Sequence, residues 1–92
     1  VIGGFKDAET QSIYRTGVSR KFGNIARVAA RRLRDLEFAV KLDDLRNPPG
    51  NRLEKLKGNR SGQFSLRIND QYRVCFRWVG DSAYDIEIVD YH

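Results

Sequence analysis

Apolar positions recur every three to four residues in the first half of the chain and every two in the second. From Asn24 onward, Ile25, Val28, Ala29, Leu33, Leu36 and Val40 form one stripe of a helix, with Asn24 as its N-cap. The other face of that helix carries Arg27, Arg31, Arg32 and Arg34, which suit either a solvated surface or one for nucleic acid or a partner protein. Upstream, Asp7 suits the cap of a shorter helix reaching about Thr16, with Gly17 as its stop, and Val1 to Phe5 suit a short opening strand. A turn around Leu42 to Leu45 leads into Pro48-Pro49-Gly50, which ends helix formation and redirects the chain.

From Arg52 on, the pattern is that of strands. Phe64, Leu66 and Ile68 alternate with Gln63, Ser65 and Arg67, and Tyr72, Val74, Phe76 and Trp78 alternate with Arg73, Cys75 and Arg77. Asn69-Asp70 is expected to close a tight two-residue hairpin at positive φ, and Gly58 to Gly62 a looser one. Gly80-Asp81 turns the chain into Tyr84 to His92, where Ile86 and Ile88 continue the apolar face. Helices followed by strands predict an α+β domain: an antiparallel β-sheet with two N-terminal helices packed on one face and arginines on the other.

Nothing divides the 92 residues, so a single domain over 1–92 is expected. A chain this short closes one core but has little room for a deep cavity, which puts any chemistry on an open face. No apolar run approaches the roughly 18 residues that cross a bilayer, so no membrane partner is expected. Cys75 is the only cysteine and His92 the only histidine, which excludes an intrachain disulfide and a zinc site of the Cys/His type. The start of the chain lacks the pattern of a secretory signal, and a reducing cytosol is the expected location. Seventeen basic against twelve acidic residues leave +5 at a pI near 9.7, which favours a polyanionic partner.

Candidate chemistry lies in the second half. Arg73 and Arg77 share the polar face of their strand, and the neighbouring hairpin adds Lys55, Lys57, Arg60 and Arg67, a set able to bind phosphates or to serve as ordinary solvent-facing charge. Asp90-Tyr91-His92 brings three proton-exchanging groups together after an apolar strand. Taken singly they also suit an ion-pair partner, an edge aromatic and a terminal residue. Beside a cationic face they match the needs of metal-free RNA cleavage: a base for the 2′-OH proton, cations for the phosphorane, and an acid for the departing 5′-oxygen. The glycine-bounded segment Gly58 to Gly62 lacks P-loop spacing and precedes no helix. Cys75, mid-strand and far in sequence from any histidine, reads as a structural thiol.

The run NRLEKLKGNRSGQFSLRINDQYRVCFRW from Asn51 to Trp78, with the ending EIVDYH from Glu87 to His92, resembles the HigB toxins of the RelE-like superfamily of type II toxin-antitoxin systems. The resemblance implies a bacterial cytoplasmic ribonuclease that enters the ribosomal A site and cleaves messenger RNA without a metal or other cofactor. It also implies a HigA-type antitoxin carrying a helix-turn-helix, so that operator DNA is met only through the antitoxin complex. By that resemblance Lys57 and Arg73 stabilise the scissile phosphate, and Asp90, Tyr91 and His92 form the catalytic set, with His92 as proton carrier. Some relatives carry histidine where this chain has Glu54, which leaves Glu54 as a carboxylate base or as the partner of a basic neighbour. Arg52, Lys55, Arg60, Arg67, Gln71 and Arg77 are expected to contact RNA or the ribosome, and Tyr72 to pack in the core. The antitoxin has two possible places, the arginine-bearing helix or the catalytic face. The residues also suit two other readings: a non-catalytic RNA- or ribosome-binding module, and a protein-binding component of an operon-repressing complex.

Overall fold

The computed structural model describes residues 1–91. The Asp7 carboxylate accepts a hydrogen bond from the Thr10 N–H at 2.7 Å and opens helix α1 (Ala8–Thr16). Gly17 closes it at φ 74, a left-handed conformation that a residue without Cβ adopts at little cost, as expected. Helix α2 (Ala26–Phe38) departs from expectation at both ends. Ile25, not Asn24, holds the cap position without any side-chain hydrogen bond, because Ile25 is itself buried in the core. After Phe38 the backbone turns extended, so the helical spacing lapses: Ala39 is buried and Val40 is exposed. The two helices are tied by the Tyr14 hydroxyl, which donates to Glu37 at 2.6 Å; that bond raises the Tyr14 pKa.

Four strands follow: β1 (Glu54–Lys55), β2 (Phe64–Arg67), β3 (Tyr72–Val79) and β4 (Ser82–Asp90). They form one antiparallel sheet in the order β1-β2-β3-β4, as each hairpin connects neighbours. Leu66, Val74, Phe76, Ala83, Ile86 and Ile88 face the helices and join Ile13, Ala29, Leu33 and Leu36 in the core. The expected arrangement of two helices on one face of the sheet is present. Between Cys75 and Arg77 the β3–β4 register shifts, and Asp85, at φ 52, is the extra residue of a bulge. The bulge lets both Ala83 and Ile86 reach the core.

Residues 1–5 make two isolated parallel bridges to β4, Ile2 with Ala83 and Phe5 with Ile86, in place of a strand. The outer edge of β4 is nonetheless paired: Ala83 N–H donates to the Val1 carbonyl, Ile86 N–H to the Gly4 carbonyl and Ile88 N–H to the buried Thr10 hydroxyl. The β2–β3 turn is wider than the two residues expected and uses no positive φ. Ile68 N–H donates to the Tyr72 carbonyl, and the Asn69 side-chain oxygen accepts from the N–H groups of Gln71 and Tyr72, both at 2.8 Å. The asparagine thus closes the loop through its side chain instead of its backbone. Between α2 and β1 the chain makes two short 3-10 turns, Leu42–Arg46 and Pro49–Asn51. Asn51 is buried, and its amide donates to Asp35 and to the carbonyls of Leu45 and Asn47, clipping this connector to α2.

Removing the α1 cap with Asp7→Ala is expected to cost about 1 kcal/mol. For a domain of this size that lowers the melting midpoint by about 4–8 °C, measurable by thermal denaturation followed by circular dichroism.

Candidate active site

The sheet face turned away from the helices is where sequence places the arginines. Cross-strand register sets Glu54 opposite Ser65, Ser65 opposite Cys75, and Cys75 opposite Glu87, a single row across all four strands. The next row runs Arg67, Arg73, Val89. Ser65 and Cys75 are fully buried, so the middle of this face is closed to water. Burial pushes the Cys75 thiol pKa up; Glu87 adds to the rise, while Arg60, Arg73 and Lys6 oppose it. The thiol is structural, as expected.

Arg73 is the most enclosed cation of the face, with its side chain 12% exposed. Its Nε donates to Ser65 Oγ at 2.8 Å and its Nη2 to the Arg52 carbonyl at 2.8 Å, with Glu54 Oε2 at 3.1 Å. Arg52 stands at φ 45, a left-handed conformation whose carbonyl meets the guanidinium. Arg60 reaches Glu87 at 3.2 Å and Gln63 at 3.1 Å, and Lys6 shares the same Glu87 oxygen at 3.2 Å. Arg77 pairs with Asp85 at 3.4 Å, and Arg67 with Asp70. The spacing predicts converging basic groups on this face, either as a phosphate-binding set or as ordinary solvent-facing charge, with Glu54 as a base or as the partner of a basic neighbour. In the structure each of these four arginines carries a carboxylate partner, since a guanidinium drawn out of water needs a counter-charge. Lys55 and Lys57 are exposed and have no ion-pair partner among the described residues; alternation turns Lys55 to the opposite side of the sheet from Glu54.

The end of β4 meets the start of β3. Asp90 lies opposite Tyr72, the Tyr91 N–H donates to the Gln71 carbonyl at 2.8 Å, and the Gln71 amide donates to Asp90 Oδ2 at 3.1 Å. Val89 is opposite Arg73, and the Tyr91 N–H bond to the Gln71 carbonyl continues the pairing one residue past the end of β4, beside the start of β3. Asp90 belongs to the face away from Arg73, with Tyr72, whose ring packs edge-on against Phe22 at 5.6 Å. The structure therefore gathers Arg52, Glu54, Ser65 and Arg73 by direct contact and holds the Tyr91 backbone beside the start of β3. It sets Asp90 on the opposite face of the strand and links Lys57 to Arg73 by no bond. His92 lies outside the described residues.

Three residues of this face escaped the sequence reading: Ser65, Glu87 and Asp85. The two-residue period already put Ser65 on the polar face, and its small hydroxyl between alternating apolar residues was the available signal. The thiol gives a check: Cys75 in the folded protein is expected to resist iodoacetamide at pH 8 and to react fully once urea unfolds the chain, as followed by mass spectrometry.

Comparison with known proteins agrees with this architecture. The chain is 40% identical over 81 residues to Toxin HigB-1 of Vibrio cholerae, covering 86% of this chain and 85% of the relative. It is 31% identical over 61 residues to Endoribonuclease HigB of Proteus vulgaris, covering 66% and 65% of the two chains. The toxin–antitoxin structure YoeB-YefM from Staphylococcus aureus superposes with a TM-score of 0.58 at 17% identity over 100% of this chain and 98% of that one, a likeness of fold. Residues 4–92 match the family described as RelE-like toxin of type II toxin-antitoxin system HigB, and the chain belongs to that family.

Proposed function

We propose that this protein is an endoribonuclease that cleaves messenger RNA in the ribosomal A site without a metal cofactor and so inhibits translation in the bacterial cytoplasm. The chemistry is supported by the relative named Endoribonuclease HigB and by family membership. Arg73, beside the end of β4, is the group on which the reading turns. In the proposed reaction Arg73 and the exposed Lys57 stabilise the charge that develops on the scissile phosphate. His92 carries the proton, Tyr91 positions the base or phosphate, and Asp90 orients this set from the far side of the strand. Arg52, Lys55, Arg60, Arg67, Gln71 and Arg77 form the proposed RNA- and ribosome-contacting surround.

The observation that carries ribosome dependence is the Glu54–Arg73 ion pair at 3.1 Å. A free RNA strand meets a guanidinium that is already paired with a carboxylate, and Arg60, Arg67 and Arg77 have carboxylates beside them as well, those of Arg67 and Arg77 in exposed and weaker pairs. Binding from solution is then weak, whereas a ribosome that holds the RNA in place raises its effective concentration enough to displace a carboxylate. Glu54, whose side chain is 55% exposed, has room to swing away. A HigA-type antitoxin is the proposed partner, and operator DNA is met through it.

Primer extension on a defined messenger RNA, with translating ribosomes and with naked RNA, tests the proposal. Cuts confined to ribosome-bound RNA, and reduced by about a hundredfold or more in Arg73→Ala or His92→Ala, are expected. Equal cutting of naked RNA removes ribosome dependence, and no cutting by folded protein that still binds ribosomes turns the reading to a non-catalytic binding module. Glu54→Gln separates its two roles. Retained cleavage with an unchanged pH profile is expected from a residue that only holds Arg73, whereas a general base would lose the acidic limb of that profile along with most of its rate.

A further inference from the structure

The basic face of α2 plays no part in the site just described, and Arg31, Arg32 and Arg34 on it form no ion pair among the described residues, although the Asp35 carboxylate lies near enough to Arg32 to favour its charge. An open groove of about 440 Å³ runs between α2 and the connector, lined by Arg31, Arg32, Arg34, Asp35, Phe38 and Pro48. Phe38 ends the helix with 76% of its surface exposed, an unusual place for a large aromatic ring. Arg32 is half-buried; its Nε donates to the Arg67 carbonyl at 2.7 Å, and its two Nη groups have no hydrogen-bond or ion-pair partner among the described residues. Burial lowers the Arg32 pKa, the mark of a charge held partly out of water. Arg31 and Arg34 are exposed and unpaired among the described residues.

These features contrast with the sheet face, where Arg60, Arg67, Arg73 and Arg77 each have a carboxylate. A planar guanidinium fork left open at the floor of a groove is preorganised for a bidentate carboxylate. The exposed ring beside it offers an apolar anchor point, which favours a protein segment over a phosphate backbone. The wall is stiff: Asn51 clips the Pro48 connector to Asp35, and Arg32 is tethered to β2.

We propose that this groove is the docking site of the antitoxin, which inserts an acidic segment so that a carboxylate meets Arg32 and a neighbouring apolar side chain covers Phe38. The inference rests on the antitoxin partnership proposed above and assigns its contact to α2. It leaves the Arg73 face uncovered by this contact. Arg31 and Arg34 steer the acidic segment in and make association sensitive to salt.

The test uses the HigA-type protein encoded in the same operon as the probe, titrated calorimetrically against the full chain. Arg32→Gln is expected to weaken binding by about thirtyfold or more. Phe38→Ser is expected to weaken it by about tenfold or more, and Arg34→Glu to flatten its salt dependence. Phe38 and Arg34 are exposed, so these two variants keep the fold, which circular dichroism checks. Cleavage on ribosomes by the free variants should stay within about twofold of wild type. Wild-type binding that all three variants retain overturns the groove assignment and leaves the partnership standing. Failure of the wild type to bind the operon protein overturns the partnership and the assignment together. A fall in ribosomal cleavage by folded Phe38→Ser or Arg34→Glu reassigns the groove to RNA and also overturns it.

Discussion

Strand β3 is buried on both of its faces, and the rest of the molecule answers to that constraint. Val74, Cys75 and Phe76 are successive residues with no solvent exposure, so neither side of the sheet is a conventional wet surface at its centre. On one side the demand is met by apolar helices. On the other, the strand presents the neutral Cys75 thiol, the exposed Arg77 and the enclosed Arg73, and enclosing a guanidinium is tolerable only with an acidic partner in reach. Glu54 from β1, together with Glu87 and Asp85 from β4, supplies acidic partners for Arg73, Arg60 and Arg77. The same enclosure that stabilises β3 thus sets the electrostatic state of the group at the heart of the proposed chemistry. Arg73 is rigid and oriented by Ser65 and the Arg52 carbonyl, and its charge is held in reserve by a carboxylate that is itself half in water.

Much of this architecture is legible in hydrophobic spacing. The three-to-four period gives α2, the Asp7 cap and Gly17 stop give α1, the two-period gives β2, β3 and β4, and glycine marks the β3–β4 turn. Errors arose where a local rule met a competing one. Asn24 is a good cap, but the core took Ile25; Val40 fits the helical stripe, but the helix had already ended at Phe38. Asn69 suits a positive-φ turn, but its side chain found two amide partners without one. What spacing does not contain is pairing across long stretches of chain. Glu54 with Arg73, and Arg60 with Glu87, meet only because the sheet brings them together: the sequence offered Glu54 a basic neighbour without saying which, and gave no sign of the Arg60–Glu87 pair.

The excess charge of the chain accordingly lies elsewhere than its strands suggest. Arg31 and Arg34 remain unpaired among the described residues, and the Arg32 guanidinium is only half used. Two surfaces of different character result: a sheet face on which Arg60, Arg67, Arg73 and Arg77 each meet a carboxylate, and a helical face on which Arg31 and Arg34 meet none among the described residues. Under the proposed function the two surfaces lie on different elements, so a partner held by α2 and an RNA strand met by the sheet need not compete for the same atoms.

The way residues 1–5 and Thr10 pair with β4 bears on the fate of the free chain. A sheet normally offers two rows of unsatisfied amides on which a foreign strand can build. Here one row is occupied by the opening segment and the Thr10 hydroxyl, and the other ends in β1, only two residues long and carrying Glu54 and Lys55. Little template is left for strand addition, so the chain by itself, even with Phe38 exposed, has no ready route to cross-β aggregation.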